Sequence, residues 1–360
     1  MSYIVPIGPY HPALEEPIHV KLYTEGEIIK NADVFIGYNH RGIEKLATKR
    51  NHIQVTTLVE RVCGICSHSH ALTYCLALEK IAGMEVPKRG QYTRVIVSEL
   101  ERLHSHFLWL GLAAHIIGFD SAFMYTFAAR EDVMDMLEIL TGNRVNYGIN
   151  IVGGARRDFT KEQLEELLKM TDKIQEPFNN VKKILSSDKT TAMRTKGVGV
   201  LTKEEAWIYG ATGPHGRASG MTYDTRRIDP YICYEDFDFK AIVLEDGDVF
   251  ARVVLRILEI EESIKIITQA VKNMPDGPIN LGVKLPRIPA GEVCIRTEAP
   301  RGELTYYVVT DGTMNPHRVS IHVPTFRNAA TVPVMLKDNS VADAGLIVAS
   351  IDPCFSCLDR

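Results

Sequence analysis

Arg61-Val62-Cys63-Gly64-Ile65-Cys66 and Asp352-Pro353-Cys354-Phe355-Ser356-Cys357 are the two stretches on which this chain turns. Each holds a C-x-x-C pair, and together they take four of the seven cysteines. Two intervening residues let the backbone turn back, so that both thiolates of a pair can reach one metal. Two such pairs that converge make a four-sulfur site suited to soft or borderline metals such as zinc, iron or nickel. A structural zinc ribbon is the plain alternative. Its pairs usually lie within about 15–20 residues of each other. Here 287 residues separate Cys66 from Cys354, so the whole fold has to close the site. The flanks also differ from zinc knuckles, because Arg61 and Asp352 each stand two residues before a cysteine.

Composition sets the frame. A chain of 360 residues with 45% hydrophobic and 24% charged residues has material for one large core or two domains. A net charge of −4 gives no reason to expect nucleic acid. MSYIVPIGPYHP lacks the basic region and apolar core of a signal peptide. The most apolar run, Phe107 to Gly118, falls short of the roughly 20 residues a spanning helix needs. Any membrane attachment is therefore expected through partners. Cys75, Cys233 and Cys294 have no partner motif and read as ordinary buried thiols.

Alternation of Ile18, Val20 and Leu22, and of Val34 and Ile36, predicts strands over 18–37, with a turn at Gly26. Val55, Leu58, Val59 and Val62 line one helix face leading into Cys63. A second helix is predicted from Ser67 to Gly83, with breaks at Pro87 and Gly90. Val95 to Leu110 mark a long helix over 91–118, followed by a shorter one over 130–141 that Gly142 stops. Thr160 with Gln163, and Thr202 with Glu205, are capping-box signals; the first opens a helix to about Leu185. Residues 213–220, GPHGRASG, read as a glycine-rich loop without a nucleotide motif. The last long helix is expected over 247–272. Leu304–Val309 and Val319–Val323 are predicted strands joined through Asp311-Gly312. The expected class is α+β: a β-rich segment over 1–52, a helical core over 53–275 and a β-containing segment over 276–360. These form one integrated domain, with the metal site where the two C-x-x-C pairs meet.

Arg-x-Cys-Gly-x-Cys near the start and Asp-Pro-Cys-x-x-Cys-x-x-Arg at the end resemble the large subunit of a [NiFe] hydrogenase, closest to the energy-converting, membrane-bound group. The resemblance covers essentially the whole chain and extends to the quinone-site subunit of complex I, which lacks the four metal-binding cysteines. It implies that Cys63 and Cys354 bind nickel terminally, while Cys66 and Cys357 bridge nickel to an iron carrying carbon monoxide and cyanide. Glu298-Ala299-Pro300-Arg301-Gly302 resembles the motif whose arginine lies over the metals. Val323-Pro324-Thr325 resembles the segment that presents a hydroxyl to cyanide. Asp352 is implied to orient Arg301; its local alternative is a turn residue before Pro353. Arg41-Gly42-Ile43-Glu44 resembles a motif whose glutamate helps bind a third metal, magnesium. Arg360 stands where many relatives place a ligating histidine, and arginine has no lone pair to give. Glu44 alternatively pairs with Arg360 or Arg41. Relatives often lose a C-terminal extension after metal insertion, so the ending at Arg360 fits either a processed chain or one made without an extension.

The resemblance further implies proton reduction to H2, with electrons from an iron–sulfur small subunit fed by ferredoxin or a ferredoxin-like subunit. Integral-membrane subunits would hold the chain at the cytoplasmic face and couple the reaction to ion transport. Glu16 is the implied proton gate beside Cys354, with Glu15 the alternative. His68 and His70 follow the first cysteine pair, and one of them, His70 in preference to His68, is the expected donor to a bridging thiolate. His104 and His106, at i and i+2, face different sides of their helix and read as satisfied core histidines. Gly8-Pro9-Tyr10-His11-Pro12 resembles the quinone-contacting loop of complex I and is expected to be structural or to face the small subunit. A quinone-reducing subunit and a zinc-stapled scaffold are the rival readings. Replacing a bridging thiolate with a hard hydroxyl, Cys357→Ser, is expected to abolish H2 chemistry. Cys75→Ser should leave metal content nearly unchanged when both proteins are assayed side by side.

Overall fold

The computed structural model describes residues 2–11, 14, 16–283 and 287–360. The chain opens with an antiparallel sheet, β1 (Ser2–Ile7), β2 (His19–Glu25) and β3 (Ile28–Phe35). Short α1 (Ile43–Ala47) and α2 (His52–Glu60) lead to the first cysteine pair, and α3 (Ser67–Ala82) follows it. Two long helices come next, α4 (Lys88–Ile117) and α5 (Asp120–Thr141), then the small hairpin β4 (Asn150–Ile151) and β5 (Gly154–Ala155). Helices α6 (Lys161–Lys173), α7 (Gln175–Ser187), α8 (Lys189–Thr195), α9 (Lys203–Ile208), α10 (Gly213–Arg217) and α11 (Thr225–Ile228) precede the long α12 (Val249–Lys272). A second antiparallel sheet, β6 (Ala290–Ala299), β7 (Gly302–Asp311) and β8 (Pro316–His322), precedes α13 (Pro324–Ala329), α14 (Val332–Leu336), α15 (Ala344–Ser350) and α16 (Phe355–Asp359).

Two large apolar cores result. One joins the faces of α4, α5, α6, α7 and α12. The other joins both sheets, α2, α3 and the C-terminal helices, and the four motif cysteines sit inside it. Every residue of α4 from Tyr92 to Phe107 is buried, which is the mark of a helix enclosed on all sides. Among the described residues no helix is long and apolar enough to cross a membrane.

Both capping boxes form, Thr160 with Gln163 and Thr202 with Glu205. Several boundaries differ from the sequence reading. The short helix expected over 130–141 starts ten residues earlier, because the buried stripe there is Ala122, Thr126 and Ala129 while Met124 and Tyr125 point outward. A stripe of small residues leaves little hydrophobic periodicity to read. The helix expected from Thr160 to Leu185 is two helices that meet at Ile174. The glycine-rich stretch 213–220 holds buried α10 rather than an open loop. Strands β1 and β6 were not foreseen. Cys294, on β6, is exposed rather than buried, since its side chain falls on the outward register of an edge strand.

Gly90 does not break the chain; it lies in the first turn of α4. A Cβ there would come 2.1 Å from the carbonyl oxygen of Ile279. That carbonyl also accepts from Ala155 N at 3.0 Å, so it cannot retreat without breaking the β5 contact. Gly→Ala at a compatible helical site usually stabilises by about 0.4–1 kcal/mol. Gly90→Ala is expected to do the opposite and lower the denaturation midpoint.

Candidate metal centre

The first cysteine pair sits where α2 ends and α3 begins, with Cys66 as the residue before the first turn of α3. The second sits at the start of α16, with Cys354 as the N-cap residue. The sulfurs of Cys63 and Cys354 are 3.2 Å apart, those of Cys66 and Cys357 3.1 Å, and those of Cys354 and Cys357 3.1 Å. All four lie within 4.8 Å of one another, and all are buried free thiols. Hydrogen bonds from the Cys354, Cys357 and Cys66 thiols drive the Cys63 pKa well below its ordinary value. Burial, with hydrogen bonds to its neighbours, drives Cys357 well above it. Cys66 and Cys354 are likewise raised, so the four sulfurs resist ionising together. Two unit charges 3.1 Å apart at an effective dielectric constant near 20 repel by roughly 5 kcal/mol. Ionising all four requires cations, so the donor set fits a thiolate-bound metal centre.

Beside the sulfurs lies a small closed cavity. Cys66, Cys354, Cys357, His70, Arg301, Pro324 and Thr325 are among the residues that line it. Arg301 occupies the two-residue turn between β6 and β7, in which Ala299 pairs with Gly302. Gly302 has φ 128°, and a Cβ on it would fall 2.8 Å from Gly213 N, so only glycine lets this turn pack on α10. The Arg301 Nη2 lies 2.7 Å from the Asp352 carboxylate, and its Nε donates to the Asp352 carbonyl at 2.9 Å. Asp352 faces Arg301 with both groups because it adopts φ 55°, an uncommon left-handed conformation for a non-glycine residue. Burial works against the charge of this guanidinium, but the Asp352 carboxylate beside it keeps its pKa well above the ordinary value. The Thr325 hydroxyl oxygen accepts from Cys354 N at 3.1 Å, which leaves its own hydrogen free for the cavity. A buried guanidinium and a hydroxyl donor beside four thiols are the partners that polar diatomic ligands on a metal need.

His70 stands on the other side. Its Nδ1 is 2.7 Å from Tyr306 Oη and its Nε2 is 3.4 Å from Cys357 Sγ. Burial lowers the His70 pKa to about 4 and raises that of Tyr306 well above the usual range. A neutral imidazole thus joins Tyr306 to Cys357, with one ring nitrogen facing each. Glu16 lies against the start of α16, where its carboxylate accepts from Phe355 N and, at 3.0 Å, from Ser356 N. Burial raises its pKa, the Ser356 amide opposes this, and the Cys63 thiolate adds to it. Glu15 lies outside the described residues.

Glu44 is engaged as the arginine-pairing alternative has it: Oε1 accepts from Arg360 Nε at 2.9 Å, and Arg318 approaches to 3.5 Å. His106 Nε2 is 2.8 Å from Glu259, and His104 Nε2 is 2.6 Å from Arg130, so both histidines have core partners. The sequence reading missed Glu101, which is fully buried. It accepts from His68 N at 2.6 Å and from Ser69 N at 3.1 Å, capping α3 directly behind Cys66. Burial raises its pKa to about 8. No local signal marked it, because the amides it accepts from lie on a different helix. Cys75 is packed in the apolar core with Thr56 Oγ1 4.0 Å from its sulfur, and burial pushes its thiol up to about 12.

Four buried cysteines from opposite ends of the chain, with an arginine and a threonine beside them, form a donor set that could hold a thiolate-bound metal. The profile described as nickel-dependent hydrogenase matches residues 41–115, and that of the respiratory-chain NADH dehydrogenase 49 Kd subunit matches residues 117–285 and 281–360. The chain belongs to the family that these two share, as an energy-converting hydrogenase-type subunit related to the 49 Kd component of complex I. It is 43% identical over 360 residues to the carbon monoxide-induced hydrogenase of Rhodospirillum rubrum, covering 100% of this chain and 99% of that one. It is 42% identical over 371 residues to the membrane-bound hydrogenase subunit alpha of Pyrococcus furiosus, covering 99% and 87%. The structure of the membrane-bound sulfane sulfur reductase, an archaeal respiratory membrane complex, superposes with a TM-score of 0.95 at 33% identity, covering 100% of this chain and 98% of that one.

Lysine would keep the charge at position 301 but not the planar fork that reaches the Asp352 carboxylate and carbonyl together. Arg301→Lys is expected to retain bound metal, measured by elemental analysis, while losing most turnover.

Proposed function

We propose that this chain is the catalytic large subunit of an energy-converting [NiFe] hydrogenase that carries out the reversible reaction 2H+ + 2e− ⇌ H2. The observation that carries the reading is the four-sulfur cluster next to a closed cavity lined by Arg301, Pro324 and Thr325. Cys63 and Cys354 would hold nickel, and Cys66 and Cys357 would bridge it to an iron bearing carbon monoxide and cyanide. When bound, that centre supplies the two-electron chemistry that interconverts H2 with protons and electrons. The chain supplies the rest. Arg301 and Thr325 donate hydrogen bonds into the cavity. Asp352 fixes the guanidinium. His70 donates toward the Cys357 sulfur. Glu16 is the proposed proton carrier: its carboxyl is part-buried, its pKa is raised, and it borders a small cavity lined by Leu14, Ile18 and Phe355.

Electrons need another route. Cys63, Cys66, Cys354 and Cys357 form the one metal-holding cluster among the described residues, so an iron–sulfur small subunit fed by ferredoxin is the proposed source. Integral-membrane partners would anchor the chain at the cytoplasmic face and use the released energy to move ions. The rival reading, a quinone-reducing subunit, rests on the 49 Kd match over the C-terminal two-thirds. The convergent thiols speak against it, since a quinone pocket needs none.

Infrared spectroscopy of the purified complex is expected to show stretching bands of metal-bound carbon monoxide and cyanide, with nickel and iron found together. A metal-loaded, active sample without those bands would sink the assignment. In Glu16→Gln, which keeps the shape but carries no proton, the bands should persist while H2 evolution and H/D exchange nearly vanish.

A further inference from the structure

The C-terminal cysteine pair must be held down against the N-terminal pair, and much of what holds it comes from residues 37–44. Arg41 Nη2 donates to Val62 O at 2.7 Å and to Ser356 O at 2.6 Å, while its Nη1 donates to Arg61 O at 3.1 Å. One guanidinium thus spans the carbonyls that immediately precede Cys63 and Cys357. The Asp359 carboxylate accepts from Gly37 N at 2.9 Å and from Asn39 N at 2.8 Å. Arg360 Nε donates to Glu44 Oε1 at 2.9 Å, and its Nη1 donates to Leu358 O at 2.7 Å. Glu44 Oε1 also accepts from Ile321 N at 2.9 Å, which ties the pair to β8.

This arrangement does not suit a hard divalent cation at Glu44. Magnesium takes about six oxygen ligands in octahedral array. Here Oε1 already faces two donors, Arg318 and Arg360 bring positive charge, and no group of three ligating side chains among the described residues includes Glu44. A guanidinium brings charge and directed donors but no lone pair. We infer that the Arg360–Glu44 ion pair, together with the Arg41 bridge, closes the metal centre in place of a third metal ion. The inference rests on the hydrogenase reading for the identity of that centre, but the strap is built from side chains alone. Arg41, Glu44 and Arg360 are positioning residues. They act through the backbone that carries Cys354 and Cys357.

The test uses the purified complex after dialysis against a chelator. Elemental analysis is read beside backbone amide H/D exchange over 355–359 in wild type, Glu44→Gln, Arg360→Gln, the double variant and Arg360→Lys. The strap predicts nickel and iron without a stoichiometric third divalent ion. It predicts exchange on the order of tenfold faster in either single glutamine variant, with no further increase in the double, because the two groups share one interaction. Arg360→Lys should restore most of the protection and the wild-type infrared bands. One equivalent of magnesium or another divalent ion that disappears in Glu44→Gln would overturn the inference, as would additive effects of the two single changes. Absence of nickel from the wild-type complex would count against the hydrogenase reading instead, and the exchange cycle would still decide the strap.

Discussion

Like-charge repulsion among four buried sulfurs is the constraint on which the rest depends. The sulfurs lie within 4.8 Å of one another, so each thiolate formed raises the cost of ionising the next. A metal centre offsets that cost, but only if the two cysteine pairs, 287 residues apart, are brought together and kept together. The fold meets this need with two devices. The apolar core surrounds the sulfurs with β2, α3, β7 and the C-terminal helices. Polar contacts from Glu16, Arg41 and Glu44 then fix the backbone on either side of them.

Behind Arg301 lies a buried lattice of charge. Arg217 bonds Glu259 and Glu298, each at 2.7 Å, and Arg226 joins Asp224 at 2.8 Å and Glu99 at 3.2 Å. Arg102 donates to the carbonyls of Glu298 and Ala299, at the base of the turn that carries Arg301. Arg256 stacks on Trp109 at 3.9 Å and approaches Asp352 to 3.8 Å. Buried ion pairs contribute little net stability against well-packed apolar residues, yet breaking one partner away is strongly destabilising. Their role here is rigidity. They set the β6–β7 turn and Asp352 in one arrangement, so that the guanidinium roof does not have to be ordered when the site works.

Much of this was legible in the sequence, and the limits are physical. Helices with caps or strong apolar stripes read correctly, as α2, α3, α9 and α12 did, because their signals are local. The first half of α5 did not read, since its buried face is made of alanine and threonine. Gly90 looked like a breaker because close approach by a remote carbonyl leaves no mark in neighbouring residues. Glu101 was invisible for the same reason: a carboxylate on a helix is ordinary until its partner, the start of α3, is seen across from it.

By itself the sequence determined the chemistry available: two C-x-x-C pairs with their flanking arginine and aspartate, an Arg-Gly turn and a Pro-Thr helix start. Those are covalent facts about spacing and side-chain type, and they suffice to name a thiolate metal site. Only the tertiary structure decided which groups meet. It paired Glu44 with Arg360, set His70 between Tyr306 and Cys357, and laid Glu16 against the amides of α16. Each of these contacts joins residues more than 230 positions apart. Local propensity carries no information over such a distance; only the packing of the whole chain around the sulfurs supplies it.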